Sequence, residues 1–272
     1  MDEFVEEYEG EPRDDATAAA ARETLLKDYF SRERDGVFYL KQMQVRLEPV
    51  FHWITQRVLG ELVDERILET DLFGLPTGVK RRFYWRRGRR YVSREIAQTL
   101  KLVQEFSTEE FGKALGYQAE LLFDSALAAE GVIVRGWDVR EYDGKRWVET
   151  DHNLDRLYMR DGVVYGAELK NTLDYIPRDE LDVKLRMCEF LGVRPLFIVR
   201  MAPAPYIERV RQRGGFTLVF KYQLYPFGAG GLAKRVREEL GLPADSPRRL
   251  FDSTARRFTA WHEREVMGGA RS

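Results

Sequence analysis

Hydrophobic residues recur at helical spacing through the first third of the chain, and this spacing predicts three helices. We expect the first to run from Thr17 to the turn at Asp35-Gly36, and the second to cover 37–47. A third begins near Pro49, because proline suits the first turn of a helix. The pattern therefore predicts a small helical domain near the start of the chain.

The segment after the third predicted helix is basic and aromatic. Residues 80–94 carry eight positive side chains and no acidic one. Aromatic and β-prone residues lie on both sides of Gly88, and this arrangement predicts a β-hairpin that turns there. A helix over 94–106 follows, so we expect the first domain to end near Ser107.

The pattern changes after Ser107 and predicts a mixture of helices and strands. In chain order we expect a helix from Thr108 that Gly131 ends, strands at 132–134, 147–159 and 163–170, a helix over 181–191, and strands over 195–199 and 216–220. This order predicts an α/β (α+β) fold with a mixed central sheet flanked by helices.

These elements divide the chain into four segments. Residues 1–15 hold eight acidic side chains and little apolar content, so we expect a disordered acidic tail. Two domains follow, over 16–106 and 107–230. Residues 231–272 are expected to form a helical C-terminal extension.

Composition excludes several kinds of protein. Cys188 is the only cysteine, which excludes disulfides within the chain, cysteine-rich zinc sites and cysteine-ligated iron–sulfur clusters. No apolar run approaches the ~20 residues of a membrane span, and the acidic N-terminus is unlike a signal peptide. We therefore expect a cytoplasmic protein with no membrane partner. The net charge of −1 indicates no nucleic-acid partner by itself, so the distribution of charge matters more.

Candidate chemistry lies at the end of the predicted strand 163–170. Glu168 and Lys170 share one face of that strand, because successive side chains alternate. A turn at Asp161-Gly162 would fold the preceding strand back and bring Asp155 beside them. Two carboxylates and an ammonium would then converge on a space the size of a hydrated metal ion.

These residue types suit the hydrolysis of a phosphodiester. A hard cation held by carboxylate oxygens neutralises the phosphate and lowers the pKa of its bound water. Lys170 would orient that water or stabilise the charge that develops on the phosphate oxygens. Glu120, on the preceding helix, would help to hold the metal or its water. Oxygen ligands favour magnesium, with manganese as an alternative.

Glu120 on a helix, Asp155 on a strand and Glu168-Leu169-Lys170 at the end of the next strand resemble the PD-(D/E)XK nuclease superfamily. The resemblance covers about 107–200. It implies a restriction-endonuclease-like core with catalytic Asp155, Glu168 and Lys170. Glu120 would be accessory, and the metal ligands would be Asp155, Glu168 and Glu120.

The motif has departures and competitors. Leu154 stands where the motif's name places a proline, a position that varies in this superfamily. Asp151 would share a strand face with Asp155 and is a rival to it. The same spacing recurs at Asp143-Gly144-Lys145 in a turn and at Asp182-Val183-Lys184 in a helix. Lys184 could touch a phosphate, although a solvated helix lysine fits the pattern better. For the whole cluster, the alternative is a surface ion pair at a strand end.

Three helices followed by a hairpin resemble a winged-helix domain. By analogy, the third helix would approach the major groove of DNA and the basic hairpin would contact phosphates. The candidate contacts are Lys80, Arg81, Arg82, Arg86, Arg87, Arg89 and Arg90 on the hairpin, and His52, Gln56 and Arg57 on the third helix. The alternatives are a solvated basic ribbon, or one docked on the acidic tail.

Together the two resemblances imply a metal-dependent endonuclease that acts on DNA, with duplex DNA as the first expectation. One alternative is a DNA-binding regulator or scaffold whose nuclease-like domain is catalytically silent. Another is a structure-specific nuclease that cuts branched DNA, or an RNA-directed nuclease. Because each chain would carry one active site, a homodimer would suit a double-strand cut.

Overall fold

The computed structural model describes residues 15–48, 50–76 and 78–268. The chain forms two compact units: Met1–Gly112 with Arg235–Leu242, and Lys113–Lys234 with Pro243–Ser272. We call them the first and second units. The C-terminal stretch is thus divided between both units, which differs from the separate extension predicted for 231–272. The predicted acidic tail lies outside the described residues, apart from Asp15, which begins the first helix.

The first unit combines helices with a small sheet. Its elements are α1 (Asp15–Thr24), a π-helical turn (Leu25–Tyr29), β1 (Phe38–Tyr39), α2 (Leu40–Arg46), α3 (His52–Asp64), β2 (Leu68–Gly74), β3 (Lys80–Arg86) and α4 (Val92–Phe106), with a second π-helical turn at Val236–Leu240. The strands lie in the order β1-β3-β2, and both pairings are antiparallel. Fully buried Leu25, Met43 and Ile54 join the helices in one core.

The hairpin differs from the one predicted. β3 pairs with β2, from Leu68 opposite Arg86 to Gly74 opposite Lys80, so the turn lies before the basic segment and not at Gly88. The reason is burial: the aromatic residues of β3 at 83–85 are buried, and β3 lies between two other strands. Gly88 has a positive φ of 82° and belongs to the connection into α4.

The second unit is built on a larger sheet. Helix α5 (Glu109–Ala129) enters it at Lys113. The following elements are β4 (Ile133–Val139), β5 (Glu141–Tyr142), β6 (Lys145–Arg146), β7 (Leu154–Arg160), β8 (Val163–Lys170), α6 (Arg178–Leu191), β9 (Arg194–Val199), α7 (Ala204–Gln212), β10 (Phe216–Val219), β11 (Gln223–Leu224), α8 (Gly230–Arg235), β12 (Ala244–Asp245), α9 (Asp252–Trp261) and a π-helical turn (His262–Met267).

Five strands form the central sheet in the order β10-β9-β8-β7-β4. β4, β7 and β8 pair antiparallel, whereas β8, β9 and β10 pair parallel, so the sheet is mixed. Phe123 of α5 and Phe258 of α9 pack in one core cluster with Tyr165 of β8. Met187 of α6 packs in another cluster with Leu157 of β7. The prediction of a mixed central sheet flanked by helices is therefore confirmed.

Candidate functional site

Asp155, Glu168 and Lys170 meet where β7 and β8 run side by side. The turn between these strands contains Asp161 and Gly162, both with positive φ, as a two-residue hairpin turn requires. The backbone N–H of Leu169 donates a hydrogen bond of 2.7 Å to Oδ2 of Asp155. Folding thus brings together the two acidic positions that lie 13 residues apart in the sequence.

Glu168 lies at the centre of this cluster and is only 2% exposed. Its Oε1 lies 3.3 Å from Nζ of Lys170, and its Oε2 forms an ion pair with Lys184. The carboxylate is therefore held between two ammonium groups. Such pairing is what a buried charge needs to remain charged.

Helix α6 supplies two side chains that sequence reasoning did not assign to the site. Lys184 is 4% exposed and donates to the carbonyl oxygen of Asn153 as well as contacting Glu168, so the expectation of a solvated lysine was wrong. Glu180, one turn earlier, places Oε1 2.9 Å from Nζ of Lys170. The apolar residues at 181, 185 and 188 show that Lys184 falls on the buried stripe of the helix, and this signal was available in the sequence.

Burial makes both acids hard to ionise, and Glu168 is also repelled by Asp155. Burial raises the pKa of Glu168 to about 7, and the neighbouring Asp155 charge adds to the shift against the opposing pull of the two lysines. Burial also raises the pKa of Asp155, opposed by the Leu169 amide. For Lys170, burial disfavours the charged form, but Glu168 and Glu180 outweigh it and raise the pKa.

Glu120 has a different partner from the one predicted. Its Oε2 accepts a 2.6 Å hydrogen bond from Nη2 of Arg156, which also contacts Asp124 at 3.1 Å. Arg156 follows Asp155 along β7, so the two side chains point to opposite faces of the sheet. Within residues 15–48, 50–76 and 78–268, no group of three His, Cys, Asp or Glu side chains could hold a metal. The expected cluster of three carboxylates is therefore not formed.

Two carboxylates of the expected ligand set lie next to each other, without Glu120. Magnesium commonly binds proteins through one or two carboxylates and keeps several waters. Asp155 and Glu168 supply hard oxygens side by side, and the repulsion between their charges would be relieved by a divalent ion. The hard oxygen donors of Asp155 and Glu168 are of the type that magnesium or manganese prefers, and Glu120 is not among them.

The rival positions are accounted for by other contacts. Asp151 is exposed and lies 3.5 Å from Arg140. Lys145 follows the turn at Asp143-Gly144 and begins β6, a two-residue strand that pairs with β5 outside the central sheet. Asp182 forms an ion pair with Arg209 of α7. Asp155 is therefore the acidic residue that β7 presents to Glu168.

The basic residues of the first unit fall into two groups. Arg86 donates to the carbonyl oxygen of Phe30 at 2.8 Å, and Arg89 lies 3.5 Å from Asp35 and 2.5 Å from Glu95. These two are held inside the unit. The others carry no ion pair with an acidic residue in the described part of the chain: Lys80, Arg81, Arg82, Arg87 and Arg90.

Helix α3 presents fewer side chains than predicted. His52 is 8% exposed, so the expectation that it faces solvent was wrong. Arg57 is half-buried over the Trp53 ring and lies 3.7 Å from Asp15 and from Glu61. Gln56 is also half-buried, and it lines a groove.

This groove lies between α3 and the β2–β3 hairpin and has a volume of about 580 Å³. Gln56 and Gly60 form its helical side, and Lys80 and Arg82 form part of its strand side. Asp64 contributes one acidic group. The groove therefore places Gln56, the candidate for contacting bases, near Lys80 and Arg82. These two basic residues form no ion pair within the described part of the chain.

No helix in residues 15–48, 50–76 and 78–268 combines the length and the apolar character needed to cross a membrane.

In comparisons with known proteins, no family model, no curated protein and no solved structure matches this chain significantly.

Proposed function

We propose that this protein is a metal-dependent endonuclease that hydrolyses phosphodiester bonds of DNA. The observation that carries the proposal is the meeting of Asp155, Glu168 and Lys170 on adjacent strands of a mixed sheet. Two acids and a lysine in this order are the residues expected of a PD-(D/E)XK core. The sheet with helices on both faces supports that core.

In this proposal the two acids bind the metal and the lysine stabilises negative charge. Asp155, fixed by the Leu169 amide, and Glu168, fixed between two lysines, would hold the metal. The metal would supply a water of lowered pKa and neutralise the phosphate. Lys170 keeps its proton and would stabilise the charge that develops on the phosphate oxygens.

Glu180 and Lys184 act through other residues. Glu180 holds the Lys170 ammonium at 2.9 Å, and Lys184 holds the far oxygen of Glu168. Both stand one turn apart on α6, so a single rigid helix sets the positions of Lys170 and Glu168 together. In this proposal they are positioning residues.

The first unit would deliver the DNA. Its element order, α1-β1-α2-α3-β2-β3, and its sheet order support a winged-helix domain with the β2–β3 hairpin as the wing. Gln56 would face the bases, and Lys80, Arg82, Arg87 and Arg90 would contact phosphates.

A plasmid-nicking assay with magnesium, manganese or a chelator tests the activity. We expect nicking with either metal and none in the chelator. Lys170→Ala and Glu168→Gln should each lower the rate at least 100-fold, because each removes a charge at the reacting phosphate. Lys221→Ala, a change at an exposed lysine of the same unit, is the matched control and should cut normally. Cutting that survives in chelator contradicts the proposal.

One observation favours a second function. Both oxygens of Glu168 already contact ammonium groups, and Glu120 is committed to Arg156. A DNA-binding regulator with a silent nuclease-like domain would have such a self-neutralised cluster. That protein would retard DNA in a gel without ever nicking it, at any magnesium or manganese concentration.

A further inference from the structure

An exposed aromatic residue of the second unit has a cation against its ring. Phe227 keeps 68% of its surface exposed, and Cζ of Arg248 lies 5.5 Å from the ring centroid. Arg248 and its neighbour Arg249 are exposed. Neither forms an ion pair with an acidic residue among those the structure describes.

The Phe227 segment is tied to the end of β8. Asn171 directly follows Lys170 and is 3% exposed. Its Nδ2 donates to the carbonyl oxygen of Leu224 at 2.7 Å, and its Oδ1 accepts from the backbone N–H of Leu224 at 2.8 Å. Phe227 lies three residues beyond Leu224, which is about 10 Å of extended chain at most.

A second set of bonds fixes the two halves of the Phe227–Arg248 pair to each other. The hydroxyl of Ser246 donates to the carbonyl oxygen of Pro226 at 2.8 Å, and the N–H of Tyr225 donates to Asp245 at 2.7 Å. Phe227 and Arg248 each lie within two residues of the Ser246–Pro226 bond. The ring and the guanidinium are therefore held together by their backbones as well as by their mutual contact.

We propose that Phe227 and Arg248 form a stacking site for an unpaired base, on the segment that Asn171 holds to the end of β8. Aromatic rings bind single strands by stacking on bases, and arginine adds cation–π attraction and a phosphate contact. Within a duplex each base face is covered by its neighbours, so only a splayed or single-stranded nucleotide offers a free face. This inference rests on the proposed function and deepens it, since it specifies a substrate with a single-stranded segment.

The test measures binding by the full chain in chelator, where no cleavage occurs. Three labelled ligands are compared: a single-stranded oligonucleotide, a single strand of the same length with abasic residues, and a blunt duplex. Phe227→Ala should weaken binding of the normal single strand about 10-fold, the scale of one lost base–aromatic stack. Binding of the abasic strand and of the duplex should not change.

Two further variants separate stacking from charge and from misfolding. Phe190→Ala removes another phenylalanine, 44% exposed on α6, and should leave all three affinities unchanged. Arg248→Ala should lower the salt dependence of single-strand binding, because it removes a phosphate contact. Arg248→Lys keeps the charge, so it should show the salt dependence of the wild type but only part of its single-strand affinity. Thermal unfolding of each variant checks that the fold is intact.

An equal loss for normal and abasic strands would show a phosphate contact only and overturn the stacking site. Unchanged single-strand binding in Phe227→Ala would overturn it as well. Because binding is measured without metal, a protein that never nicks DNA can still show the stacking site. Conversely, a protein that nicks DNA but shows no Phe227 effect retains the proposed function and loses this inference.

Discussion

Opposing effects act on the charge of Glu168. The side chain is buried beside a second acid, which favours the neutral form, and it is held between two lysines, which favour the charged form. Its pKa near 7 reflects the balance between these effects. Small changes at its neighbours should therefore change both its charge and the stability of the unit.

Lys184→Met should destabilise the protein by about 3 to 5 kcal/mol at pH 8, because it leaves the Glu168 charge buried without its partner. The free energy of unfolding in urea is the measurement. Arg186→Gln is the matched control, since Arg186 lies on the same helix in an exposed pair 3.5 Å from Glu149 and should cost less than about 1 kcal/mol. Equal losses in the two variants would mean that the buried pair has no special role.

Glu168 should also make the metal-free protein less stable as pH rises. Its pKa is about 7 in the folded chain, against an ordinary value of 4.5, so the folded state binds the proton more tightly. The resulting stabilisation is complete below pH 4.5 and is lost between pH 4.5 and 7, by about 3 kcal/mol. Urea unfolding across this range in chelator should show the fall in the wild type and lack it in Glu168→Gln. The exposed Glu141→Gln should keep it.

At the scale of elements, one helix of the second unit and one hairpin of the first unit carry the charged side chains that matter to the proposals. Helix α6 reaches the candidate site through Glu180 and Lys184, and the β2–β3 hairpin presents cations beside α3. In each element some charged side chains form ion pairs within the described part of the chain, and others do not. That division could not be deduced from the charge run itself, because it depends on which acids the fold brings near.

Adjacent arginines after β3 allow a sharp test of the hairpin. Arg90 is exposed without an ion pair to the described residues, whereas Arg89 is paired with Asp35 and Glu95. Arg90→Ala should lower the slope of log affinity for DNA against log salt by about 1, the value for one lost phosphate contact. Arg89→Ala should leave the slope nearly unchanged. The reverse result would show that Arg89 is the residue that binds phosphate.

At the scale of the whole molecule, the chain returns to its first unit after building most of the second. The carbonyl oxygen of Leu240 accepts hydrogen bonds from Gln42 at 3.0 Å and from Arg46 at 2.8 Å. Gln42 is buried, so it depends on this distant acceptor. A domain boundary drawn once along the sequence therefore cannot describe the first unit.

A chain truncated after Lys234 should consequently be weakened in its first unit too. Loss of the Leu240 acceptor leaves the buried Gln42 amide unsatisfied, at a cost of about 1 to 3 kcal/mol. Hydrogen exchange of the α2 amides should become faster in the truncated chain. A chain truncated after Gly268 serves as the control and should exchange like the full one. Unchanged α2 protection after truncation at Lys234 would contradict the structural role of 235–242.

The sequence by itself indicated a mixed sheet flanked by helices and placed Asp155, Glu168 and Lys170 on strands, because alternation and helical spacing are local properties. It did not indicate β1, which lies within the predicted helix 37–47. Tertiary structure alone decided the partners. It paired β3 with β2, brought Lys184 to Glu168, and gave Glu120 to Arg156. Strand pairing and ion pairing depend on which surfaces meet when the core closes, and that information is spread over residues far apart in the chain.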